Sequence, residues 1–244
     1  MTLEGLRLWL RRRLTPGEYF GLELTLGAIV FVTAAWIFGG LAEGVARAEP
    51  ITHVDLNLAR WMNLHQVAGL HELMGVLSFF HTWPIGLAAA GFIAFLLWRR
   101  DWRWVIVGLT AVGGGVALNT ALKLAFHRER PTLSGLAAAL HTYSFPSGHT
   151  LAATVLYGVF AGYLLTITRS RARRTGIIAA AVTIVLLVAF SRLYLGVHYL
   201  SDVLAAMAEG VAWLALCYTA TDTLMARYRR RRAGRQTPGE SSPR

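Results

Sequence analysis

The chain has 244 residues, 55% of them hydrophobic and only 15% charged, a balance that excludes an ordinary soluble domain and marks an integral membrane protein. Its formal charge of +11 comes from basic residues in short clusters between apolar segments, which excludes a nucleic-acid-binding domain and fits membrane orientation instead. A single cysteine, Cys217, excludes a disulfide framework and a cysteine-based metal cluster, while sites built on His and carboxylates stay open.

Apolar stretches near the roughly 20 residues needed to cross a bilayer run from Leu22 to Leu41, Trp83 to Trp98, Trp104 to Ala125, Leu151 to Thr168, Ile177 to Leu195 and Val203 to Met225. Between the first two, Val54, Leu58, Trp61, Met62 and Leu64 form the pattern of an amphipathic helix lying on the membrane surface. Leu70 to Phe80 is too short to cross alone and reads as an extension of the second span, broken near Pro84. The expected fold is therefore all-α and polytopic, with six transmembrane helices and an additional amphipathic interfacial helix after the first. Residues 1–226 form one membrane domain, and the basic tail 227–244 is expected to be disordered and free to meet anionic lipid headgroups.

A secretory signal is the competing reading of the first span, because Ala46 to Pro50, "ARAEP", has the small residues of a cleavage site. The apolar run is longer than a signal core and ends well before that site, so the span is expected to be retained. Four basic clusters lie on one side of a six-span topology: the N-terminus, Arg99 to Arg103, Arg169 to Arg174 and the tail. They hold 18 of the 24 Lys and Arg residues, so that side and both termini are expected in the cytoplasm of a bacterial inner membrane. Arg47, Arg60, Lys123, Arg128, Arg130 and Arg192 fall on the outer, periplasmic side.

Four of these outer cations stand near span ends. Lys123, the only lysine, precedes Arg130 by seven residues; on a continuing helix the two lie two turns apart on one face, before Pro131 stops it. By themselves they read equally well as cations reaching for headgroups. Pro146-Ser147-Gly148-His149 opens the fourth span, where a helix start offers unpaired N–H groups to an anion and Gly148 allows close approach. An anion there favours the imidazolium of His149, the form a general acid needs. Alone, this stretch is a turn with a capping serine. Ser191 and Arg192 end the fifth span, and His198 and Asp202 open the sixth, four residues apart, so that on a helix the carboxylate holds one ring nitrogen and leaves the other free. That pair in isolation could be a satisfied structural one.

Taken together, the three elements bring cations, a helix start and two histidines to one side of the membrane, a set suited to phosphoryl transfer. No carboxylate cluster on this side is expected to hold a metal ion, and no cofactor is implied. A transporter or lipid-binding protein would use the cations only to hold phosphate, and would need neither a nucleophile nor an acid.

At this point the chain resembles the type 2 phosphatidic acid phosphatase superfamily, which also includes vanadium haloperoxidases and glucose-6-phosphatase. Its signature, K-x6-RP, PSGH and SR-x5-H-x3-D, is matched at Lys123 to Pro131, Pro146 to His149, and Ser191 to Asp202. The resemblance implies that His198 is the nucleophile, Asp202 orients it, and His149 is the general acid. It further implies that Lys123, Arg130, Arg192, Ser147 and Gly148 bind the phosphoryl group, with Arg128 as an additional basic position. The implied activity is hydrolysis of a membrane lipid phosphate or diphosphate, such as undecaprenyl diphosphate, phosphatidate or phosphatidylglycerophosphate, or transfer of its phosphate to an alcohol. A haloperoxidase reading fails on the six spans. Of the histidines outside the motifs, His127 and His141 are expected nearest the site, with His53, His65, His71 and His81 structural or interfacial.

Overall fold

The computed structural model describes residues 22–132, 140 and 142–235. The described regular structure is helical: α1 (Leu22–Ala46), α2 (Pro50–Leu64), α3 (Ala68–Phe80), α4 (Trp83–Trp98), α5 (Trp102–Phe126), α6 (Gly148–Ile167), α7 (Arg171–Tyr194) and α8 (Leu200–Arg235). Six segments among them are long and apolar enough to cross a bilayer, the second being α3 and α4 together, Ala68–Trp98. The fold is thus the all-α, polytopic membrane architecture expected, with α2 as the amphipathic helix after the first span. Trp36, Leu87, Leu109 and Leu186 project outward from the spans, as side chains facing lipid do.

Local chemistry sets the element ends. Pro50 opens α2, where its missing N–H costs nothing. Pro84 cannot continue the ladder from α3, so the second span breaks at His81 and Thr82 and restarts at Trp83. The inner stripe of α2 is Asp55, Ala59 and Met62, spaced for one helical face, while Val54, Trp61 and Leu64 are exposed on the other. A carboxylate therefore lies on the face that packs into the protein.

Two helix C-terminal ends differ from the sequence expectation. Helix α5 stops at Phe126, because His127 adopts a left-handed conformation (φ 48°, ψ 28°) and its N–H returns to the Lys123 carbonyl at 3.1 Å. Lys123 and Arg130 therefore do not share one helical face; Arg130 stands in the loop beyond. At the other end of the chain, α8 continues past Arg227 to Arg235, as good helix-forming arginines allow, and residues 236–244 lie outside the described residues.

Helix α8 is the central post, packed against α1, α5 and α6. Close approach needs small residues: a Cβ on Gly210 would lie 2.7 Å from Thr154 Cγ2, so only glycine lets α8 and α6 meet there. Leu151, Val155, Val159, Ala206 and Leu214 fill the seam between them. Phe38 and Ala42 of α1 close on buried Phe145, just ahead of α6. This packing holds the end of α5, the start of α6, the end of α7 and the start of α8 together at one end of the bundle.

Candidate active site

The site grows from those four helix ends. Ser147 is the N-cap of α6 with extended backbone (φ −72°, ψ 114°), and its hydroxyl makes no capping bond, so the first-turn N–H groups are not spent on it. Its own N–H donates to the Asp202 carbonyl at 3.1 Å, fastening this helix start to the start of α8. Preceding it is a cis Phe145–Pro146 bond. At Gly148, an added Cβ would lie 3.4 Å from Asn119 Oδ1 and 3.8 Å from Lys123 Cε, so the lysine passes directly over this residue. Lys123 Nζ donates to the Tyr143 carbonyl at 2.6 Å.

The turn between α7 and α8 carries the histidine. Gly196 sits at φ 65°, a conformation that glycine adopts without strain, and reverses the chain so that Val197 N–H meets the Arg192 carbonyl at 3.2 Å. His198 follows in this connection, only 2% exposed. It does not open α8 as expected, because the helix begins at Leu200. Asp202 nevertheless reaches it by the geometry of a capped helix start: its Oδ2 accepts the Tyr199 N–H at 2.8 Å and lies 3.3 Å from His198 Nδ1. Ser144 Oγ donates to the same carboxylate oxygen and lies 3.4 Å from Nδ1.

The tautomer of His198 follows from its neighbours. Arg130 Nη1 lies 3.2 Å from Nε2, and a guanidinium can only donate, so Nε2 is the acceptor and Nδ1 carries the proton facing Asp202. Burial pushes the His198 imidazole down to about 3, against the opposing pull of Asp202, so the ring is neutral at neutral pH. Arg130 is itself fixed by the Thr142 and Val197 carbonyls, each at 2.8 Å.

Arg192, 4% exposed in the last turn of α7, donates to Ser78 Oγ of α3, and its Nε has no partner. Among the described residues no carboxylate pairs with it, so a buried cation stands open to an anion. His149, in the first turn of α6, lies near Arg192, His198 and Arg130 and so belongs to the same cluster. Lys123, Arg130, Arg192, Ser147, Gly148, His149, His198 and Asp202 are thus gathered in one place.

Arg128 is also there but faces elsewhere. The resemblance counts it among the phosphate-binding cations, whereas its guanidinium bonds Asp202 Oδ1 at 2.6 Å, Ser201 Oγ at 2.7 Å and Asp55 Oδ2 at 2.8 Å. Sequence reasoning missed Asp55, Ser78, Ser144 and Ser201, which no motif spacing marks. His81, set aside as structural, lies near His149 and 3.1 Å from the Tyr157 hydroxyl. His127 stays at the end of α5, edge-on to Tyr143 with ring centroids 4.5 Å apart; His141 lies outside the described residues.

A membrane-spanning helical bundle with cations, two histidines and a buried His–Asp pair at one end defines a membrane-embedded enzyme of phosphoryl chemistry. The PAP2 superfamily model matches residues 104–226, and the chain belongs to that superfamily. It is 32% identical over 154 residues to phosphatidylglycerophosphatase B of Bacillus subtilis, an alignment covering 62% of this chain and 71% of the relative. Over 126 residues it is 38% identical to decaprenylphosphoryl-5-phosphoribose phosphatase of Mycolicibacterium smegmatis, covering 49% and 59%. In fold it is similar to the PAP2 type phosphatidylglycerolphosphate phosphatase of Bacillus subtilis, with TM-score 0.69 and 24% identity over 81% of this chain and 96% of that one. Aquifex aeolicus LpxE superposes with TM-score 0.53 and 23% identity over 67% and 94%. This chain is a multi-pass membrane lipid phosphatase.

Proposed function

We propose that the enzyme hydrolyses a phosphomonoester or diphosphate on a membrane lipid through a phosphohistidine on His198, at the outer face of a bacterial inner membrane. The observation that carries this reading is the His198 ring: neutral, its Nδ1–H turned to Asp202, its Nε2 lone pair turned to Arg130. In the first step Nε2 bonds to phosphorus, the bond from phosphorus to the lipid oxygen breaks, and His149 gives that oxygen a proton. Lys123, Arg130, Arg192 and the helix start at Ser147 and Gly148 hold the non-bridging oxygens and meet the charge that develops on them. In the second step water attacks phosphorus and passes its proton to His149, the P–N bond breaks, and inorganic phosphate leaves with His198 neutral again.

The test is a phosphate-release panel in mixed micelles, covering undecaprenyl diphosphate, phosphatidate, phosphatidylglycerophosphate and decaprenylphosphoryl-5-phosphoribose, with and without excess chelator. Release from at least one lipid is expected, undiminished by chelator. Cations line the site, and Asp55 and Asp202 are both engaged by Arg128, so the donor set repels rather than collects divalent ions. Loss in chelator reversed only by Mg²⁺ would overturn the metal-independent mechanism, and inertness toward every lipid would overturn the activity.

The outward orientation is supported by the basic segments Arg99 to Arg103 and Arg169 to Arg174, which join the helix ends opposite the site. Cysteines replacing Thr132 and Arg171 are expected to react with a membrane-impermeant maleimide from outside and only after lysis, respectively; the native Cys217 is buried. The reverse pattern places the chemistry in the cytoplasm.

A further inference from the structure

The interfacial helix α2 sends one charged group into the protein, and that group is built into the site. Asp55 is 1% exposed, and both its oxygens are spoken for: Oδ1 accepts the Ser201 N–H at 2.9 Å, and Oδ2 accepts the Ser201 hydroxyl at 2.5 Å and Arg128 Nη2 at 2.8 Å. Through Ser201 N–H it caps the first turn of α8, one residue before Asp202. Through Arg128 it is one bond removed from Asp202, since the same guanidinium reaches Asp202 Oδ1 at 2.6 Å. The Tyr199 ring lies against that guanidinium, 4.3 Å from its centroid, and closes the cluster.

Charge gives this arrangement its meaning. A carboxylate that holds an imidazole works by its negative charge, which stabilises the positive ring formed as the nucleophile bonds to phosphorus. Arg128 bonded to Asp202 alone would cancel that charge at a distance of one hydrogen bond, in surroundings too dry to screen it. With Asp55 on the far side of the guanidinium, the group of three carries one net negative charge.

Resting on the reading that His198 is the nucleophile, we propose that Asp55 is a positioning residue for the reaction: it draws Arg128 and fixes the start of α8, so that Asp202 keeps both its place and its effective charge against His198. The interfacial helix is thereby part of the active site's support.

The test is Asp55→Asn in the full-length protein in mixed micelles, with the fastest-turning panel lipid as substrate and inorganic phosphate as competing ligand. Expected is a fall in kcat of about 10- to 100-fold, the range commanded by one hydrogen bond to a charged group, with KM and phosphate inhibition within about twofold of the parent. An amide sets a donor against a donor whichever way it turns, so some loss of thermal stability accompanies the change. The split between kcat and KM is what a merely structural role does not produce. If phosphate affinity falls with kcat, or if kcat drops only in proportion to the unfolded fraction, Asp55 is structural and the proposal is overturned. Unchanged kcat in Asp55→Asn beside an inactive His198→Ala overturns the proposal and leaves the nucleophile in place, whereas activity in His198→Ala removes the reading beneath it. Should the Asn variant not purify, Ser201→Ala removes only a hydroxyl from the same network: kcat is expected to fall several-fold at unchanged KM, and an unchanged kcat counts against the proposal.

Discussion

His198→Ala is expected to abolish phosphate release from every lipid phosphate, a loss of at least about 10⁴-fold, since removing the proposed nucleophile of a covalent mechanism costs nearly everything its catalytic unit supplies. The protein should still fold. Asp202 loses one neighbour but keeps Ser144, the Tyr199 N–H at 2.8 Å and Arg128 at 2.6 Å, so no buried carboxylate is orphaned. The cavity left by the ring lies beside the polar groups of Ser144, Asp202 and Arg130. Binding should survive as well, because Lys123, Arg130, Arg192 and the α6 start are untouched; inorganic phosphate is expected to protect the variant and the parent alike against thermal unfolding. Phosphate release near the parental rate would remove the phosphohistidine from the mechanism, and loss of phosphate protection would show that the variant is damaged beyond its nucleophile.

What the sequence carried and what it did not divide along physical lines. Hydropathy and length located each span among the described residues, because lipid tolerates little else, and the outward apolar face of α2, Val54, Trp61 and Leu64, was visible from its period. The site motifs were readable because each sits at a helix end whose local geometry is set by Pro, Ser and Gly. The end of α5 was hidden. Nothing about His127 announces a left-handed residue, and Pro131 pointed to a later stop. That turn is what swings Arg128 away from the phosphate cluster and onto Asp55 and Asp202. Asp55 and Ser78 were invisible for another reason. They arrive by packing of α2 and α3 against α7 and α8, as when Val67 N–H bonds the Tyr194 hydroxyl at 2.7 Å, and no spacing along the chain encodes such a meeting.

Arg192→Met is expected to separate activity from stability. Arg192 is buried, donates to Ser78, leaves Nε without a partner and is paired with no carboxylate among the described residues, while Arg130 and Lys123 share its sign nearby. Holding an unpaired cation in such a place costs the resting protein several kcal/mol, a cost that a phosphoryl group bound at the proposed site would offset. Methionine fills a similar volume without the charge. The variant should therefore lose about 10³-fold in kcat/KM, the scale set by removing an arginine that meets transition-state charge, while its thermal midpoint in detergent holds or rises by a few degrees, because the buried charge is gone and, among the described residues, only the Ser78 hydroxyl loses a partner. Added phosphate is expected to raise the midpoint of the parent by mass action and to shift that of Arg192→Met much less. A midpoint that falls by several degrees in the absence of phosphate would mean that the guanidinium is a structural partner of α3 already satisfied in the resting enzyme. Retained phosphate protection would mean that the anion sits elsewhere among the cations.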